Sequence, residues 1–85
     1  MEEDMLNTLK DADVRVGIKQ SRKEVEAGNV QTAFVAEDAD PHVTEPFVRL
    51  CAQKAVEVVN VESMAQLGHA AGIHVGAAVA VILKA

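Results

Sequence analysis

Four cationic side chains, Arg15, Lys19, Arg22 and Lys23, fall within nine residues that hold no carboxylate. The chain of 85 residues has a formal net charge of −5, so the other 76 residues sum to −9. Lys19 and Lys23 are four apart and share one face of a helix; Gln20 lies about 100° round, and Arg22 flanks them. Gly17 just ahead lets a ligand come close to the backbone. The free N–H groups of a helix start favour an anion. Gln20 adds a neutral donor and acceptor, which suits the edge of a base. The chemistry of this cluster is recognition of a phosphate-bearing polymer, with a solvated helix face as the plain alternative.

A second segment, Leu67 to Ala78, is rich in Gly and Ala and has no fixed charge; its polar side chains are His69 and His74. Small residues permit close approach, and Ile73 and Val75 can project from a loop. A third group, Asp38, Asp40 and His42, invites a metal. Three potential ligands in one five-residue turn, with no fourth, make a weak site, and the same acids suit helix capping. His69 and His74 are five apart, a poor spacing for joint ligation. No metal or cofactor is expected. Glycine-rich nucleotide loops, P-loops and serine nucleophile elbows are absent, and nothing points to an enzyme.

Short elements must position these residues. Met5, Leu6, Leu9 and Ala12 fit one face of an opening helix. Val14-Arg15-Val16 is a short strand, and Gly17 turns the chain into a helix from about Ile18 to Ala27, stopped at Gly28-Asn29. That helix turns Ile18 and Val25, with Ala27 nearby, towards the core. Thr32 to Ala36 is a buried strand. Asp40 caps a helix begun by Pro41, which runs to about Ala55 with Val43, Phe47, Val48, Leu50 and Cys51 as its apolar face. Thr44 and Pro46 suggest a second start or an irregular first turn. Val56 to Val61 is rich in β-branched residues and reads as a strand. Glu62-Ser63 opens a helix to Ala71, Gly72 to Gly76 is a loop, and Ala77 to Leu83 is an apolar run that fits helix or strand, with Val79, Val81 and Ile82 favouring a strand. The order α-β-α-β-α-β-α-β implies a single-domain, three-layer α/β/α sandwich around a four-stranded sheet over residues 1–85.

Composition narrows the function classes. Hydrophobic residues make up 49% and charged ones 25%, as in an ordinary globular domain. Phe34 and Phe47 are the only aromatics, too few for a base-stacking platform. Cys51 is alone, so it forms no intramolecular disulfide and reads as a core thiol. MEEDML is acidic where a signal peptide would be basic, and no apolar run reaches about 18 residues. A soluble, cytoplasmic protein with no membrane partner is expected.

Three blocks in order, VGIKQSRKEVEAG, VAEDADPHVTEP and VESMAQLGHAAGIHVGAAVAVI, resemble the L-seven-Ae family of kink-turn RNA-binding proteins, closest to its short bacterial YbxF-like branch. The resemblance runs from about Val14 to Leu83. It implies an α/β/α sandwich that binds RNA helices sharply bent at a bulge beside tandem sheared G·A pairs. The family motif Gly-x-Asn-Glu-x-x-Lys falls on Gly17, Lys19, Gln20 and Lys23, with the Lys-Gln of the bacterial branch in place of Asn-Glu. These residues are thereby implied in contacts to guanine edges and nearby phosphates, with Arg22 beside them. Ile73, His74 and Val75 match the family's apolar loop, which covers the bulge. His74 stands where an acidic residue is common, His69 where Lys or Arg often follows Leu-Gly, and Glu57 where many members have Pro. The expected function is non-enzymatic recognition of kink-turn RNA by a monomer, with ribosomal RNA, a riboswitch or another RNA as its target. The main alternative is a protein–protein module on the same scaffold that has lost RNA binding. A metal-dependent hydrolase built on Asp38, Asp40 and His42 ranks third.

Overall fold

Two stretches, Ala33–Ala36 and Val79–Ile82, are apolar without alternation, the pattern of strands covered on both faces. They form the middle of the sheet. The structure, a computed structural model, describes residues 13–84, so the opening helix expected around Met5 to Ala12 lies outside the described residues. Within them the order is β1 (Val14–Val16), α1 (Ile18–Glu26), β2 (Val30–Ala36), α2 (Pro41–Gln53), β3 (Glu57–Val61), α3 (Met64–Ala70) and β4 (Val79–Leu83). The sheet runs β1-β4-β2-β3. β4 is antiparallel to both neighbours, and β3 is parallel to β2. The strands that carry Arg15 or Glu57 and Asn60 are the two edges of the described sheet.

Alternation along the central strands separates two cores. Ala33 and Val35 of β2 and Val79 and Val81 of β4 pack with Val25 of α1 and Phe47 and Cys51 of α2. Phe34 and Ala36, with Ala80 and Ile82, pack on the other face with Leu67 and Ala70 of α3. The expected three layers are therefore present, with α1 and α2 on one side and α3 on the other. Phe47 and Phe34 are both fully enclosed. Truncating either to Ala removes contacts worth about 3–5 kcal/mol. Burial pushes the Cys51 thiol up, away from the reactive thiolate.

Three details differ from the sequence reading. Ala27 is exposed, because the chain leaves α1 there and Asn29 N–H closes the end on Glu24 O at 3.0 Å. α2 has no second start: it runs continuously past Pro46, which is exposed and lacks only its own N–H bond. Its start is held by Asp40, whose Oδ1 accepts from His42 N at 2.9 Å. Val48 is 36% exposed, since Thr44, Phe47 and Cys51 define the buried stripe and Val48 lies at its margin. None of the described helices is long and apolar enough to cross a membrane.

Candidate nucleic-acid interface

Every connection that could hold the functional residues leaves the sheet at one end. β1, β2 and β3 finish there, and antiparallel β4 begins there. Gly17 sits at this rim with φ +97°, a conformation that L side chains rarely adopt, and precedes α1 with no side-chain cap. Its N–H donates to Val79 O at 3.0 Å, and its carbonyl accepts the first helical bond, from Ser21 N, at 3.0 Å. The N–H groups of Ile18, Lys19 and Gln20 precede that first bond and so have no partner within the helix.

α1 is fixed by its other face. Ser21 and Val25 are fully buried, and the Ser21 hydroxyl lies 3.5 Å from Arg15 O, a long contact back to β1. That leaves Lys19, Arg22, Lys23 and Glu26 exposed, as helical spacing predicts, and Gln20 with them. Lys19, Arg22 and Lys23 border one depression of about 290 Å³, together with Ile18 and Glu26. Arg15 is half-buried and turns back, its Nη1 donating to Val14 O at 3.0 Å.

The second segment is the connection 71–78 between α3 and β4. It folds back along α3: Ile73 N donates to Gly68 O at 3.0 Å and Ala77 N to Met64 O at 3.0 Å. This approach needs glycine. A Cβ on Gly68 would fall inside the radius of Val75 O, and one on Gly76 would lie 3.1 Å from Met64 Cβ. The loop residues then divide. Ile73 is half-buried and packs against the α3-side core, whereas His74 is exposed and Val75 is 71% exposed. Ile73, His74 and Val75 border a depression of about 300 Å³ with His69 across from them.

The two segments are thus separate depressions on one rim, joined through the Gly17–Val79 hydrogen bond. The Asp38, Asp40 and His42 turn lies at the end of β2 on the same rim, but its acids serve as caps. Asp40 Oδ1 takes His42 N and lies 3.1 Å from His42 Nδ1, while Asp38 Oδ1 accepts from Met64 N at 2.7 Å. Among the described residues no three His, Cys, Asp or Glu side chains are placed to hold a metal ion. The Asp38 bond was not legible in the sequence, because its partner lies 26 residues away. Ser63 at the start of α3 was, and its hydroxyl accepts from Gln66 N at 3.1 Å.

Comparison with known proteins places this arrangement. The model of the ribosomal protein L7Ae/L30e/S12e/Gadd45 family matches residues 1–85. Large ribosomal subunit protein eL8 of Halobacterium salinarum is 41% identical over 73 residues, which are 85% of this chain and 61% of that protein. The chain therefore spans less than two thirds of that relative's length. An RNA-binding protein of Bacillus pumilus is 41% identical over 68 residues, 80% of this chain and 83% of its own. The solved structure of the Giardia lamblia 15.5kD RNA binding protein superposes with a TM-score of 0.90 at 29% identity, over 99% of this chain and 74% of that one.

Proposed function

The chain belongs to the ribosomal protein L7Ae/L30e/S12e/Gadd45 family, and we propose that it is a non-enzymatic RNA-binding protein that recognises and stabilises a kink-turn. Residues 1–85 act on this reading as one domain, a cytoplasmic monomer whose partner is ribosomal or riboswitch RNA. The observation that carries it is the shared rim: the start of α1, with its exposed Lys19, Gln20 and Lys23, is tied by Gly17 to the residue that follows the 71–78 loop.

The mechanism follows from what each segment can bind. A kink-turn exposes guanine edges at its sheared G·A pairs, where O6 and N7 accept hydrogen bonds. Lys19 and Lys23 are long donors that reach such acceptors, and Gln20 can both donate and accept. The free N–H groups after Gly17, with Arg22, favour the neighbouring phosphates. Val75 and His74, presented by the loop with Ile73 beneath them, cover the unpaired nucleotides of the bulge. RNA in solution exchanges between open and kinked forms. A protein that contacts both arms of the kink binds the kinked form better and shifts the population towards it.

The test is a gel shift with two RNAs that differ only in the G·A pairs, sheared in one and replaced by Watson–Crick pairs in the other. The first is expected to bind far more tightly, with log K falling against log salt at a slope of roughly −2 to −4, as for three or four phosphates. Equal binding of the two RNAs would reject kink-turn recognition.

A further inference from the structure

Lys19, Arg22, Lys23 and Glu26 repeat at intervals of three and four residues, so they form one stripe along α1. Pro46, Arg49, Leu50 and Gln53 repeat at the same intervals along α2. The two stripes meet. Arg22 and Glu26 border both the depression beside Lys19 and Lys23 and a second one, of about 340 Å³, lined from α2 by Pro46, Arg49, Leu50 and Gln53. The two depressions adjoin at Arg22 and Glu26 and together form a shallow groove from α1 across to the second half of α2.

We propose that this groove is a second phosphate-binding surface, on which the RNA stem that flanks the kinked site runs past Arg22 and Arg49. The proposal rests on the RNA-binding reading and extends it to a residue outside the family motif. Four of the seven described Lys and Arg residues line the groove, against the single carboxylate of Glu26. Lys19, Arg22 and Lys23 already belong to the proposed kink-turn site, so the cation left without a role is Arg49, at the far end of the groove. Glu45, one turn before Arg49, has the spacing to neutralise it, yet no Lys or Arg among the described residues pairs with a carboxylate. Arg49 is exposed, and its planar fork suits phosphate oxygens. An acidic protein would also be attracted. The groove's apolar lining from α2 is only Pro46 and Leu50, with no aromatic anchor of the kind that dominates protein interfaces. Its place beside Lys19 and Lys23 makes RNA the occupant.

The test measures binding of wild type, Arg49→Gln, Arg49→Glu and Glu26→Gln to a minimal kink-turn and to versions with each stem in turn lengthened by one helical turn. Wild type should bind one lengthened RNA more tightly than the minimal one. Arg49→Gln should remove that gain, roughly three- to tenfold, and lower the salt slope by about 1 on that RNA only. Arg49→Glu should lose more, and Glu26→Gln should tighten binding. The groove proposal is overturned if the Arg49 variants bind the lengthened RNAs like wild type, or if they weaken the minimal RNA equally. Failure of the kink-turn reading shows differently, as equal binding of sheared and Watson–Crick RNAs by wild type. An Arg49 effect that persists there leaves the groove standing.

Discussion

The start of α1 and the 71–78 loop share a rim but are built on opposite principles. α1 is anchored from below by Ser21 and Val25, both fully buried, and presents flexible, charged side chains to solvent. Its contribution resides in side-chain chemistry, and its backbone would survive the loss of any one exposed group. The loop carries no Lys, Arg, Asp or Glu and contributes shape. Its position depends on backbone approaching backbone across Gly68, where even one added carbon has no room. A surface assembled from these two parts should be charge-sensitive on one side and methyl-sensitive on the other.

Gly68→Ala should have the largest effect. Alanine favours a helix by about 1 kcal/mol over glycine, so propensity alone predicts a gain. The clash is with Val75 O, a backbone atom, and the relief is displacement of the loop rather than rotation of a side chain. A net destabilisation near the upper end of the overpacking range, about 1–3 kcal/mol, is expected, with loss of kink-turn binding while far-UV circular dichroism keeps its helical signal. Gly72→Ala is the control: its added carbon meets nothing within 4 Å, so only the cost of its positive φ remains. Equal stability and binding in both variants would dissolve the contrast.

Lys23→Ala probes the other side. It removes an exposed charge from α1 and should leave thermal stability within about 0.5 kcal/mol. Binding to a kink-turn should fall by about 1–3 kcal/mol, and the salt slope should become shallower by about 1 if Lys23 also meets a phosphate. Gly68→Ala, by contrast, should weaken binding without removing a charge. Unchanged affinity in Lys23→Ala would move the site away from α1.

This division also explains which features could be read from the chain. Strand β2 was legible as a short apolar run; the longer run of β4 fitted helix or strand until Val79, Val81 and Ile82 favoured the strand, and the caps Asp40 and Ser63 act on residues two or three positions away. The exposed face of α1 followed from helical spacing, and Ser21 could have been placed in the core by the same spacing from Ile18 and Val25. What escaped was set by residues distant in sequence. Asp38 holds the first N–H of α3, Gly17 meets Val79, and Arg49 borders the same depression as Arg22. Val48 escaped for a smaller reason, since a position at the margin of an apolar stripe can fall either side of it. The α1 half of the proposed site could be suggested from composition; how the loop is held could not.

The smallest expected effect would blur the contrast in a controlled way. His74 and His69 border the same depression, and no carboxylate or fixed cation lines it. A fixed cation placed there would give the loop the electrostatic character that α1 already has. His74→Lys should therefore tighten kink-turn binding by about two- to fivefold and steepen the salt slope by up to about 1. Affinity and salt slope unchanged in His74→Lys would show that the loop acts through shape alone.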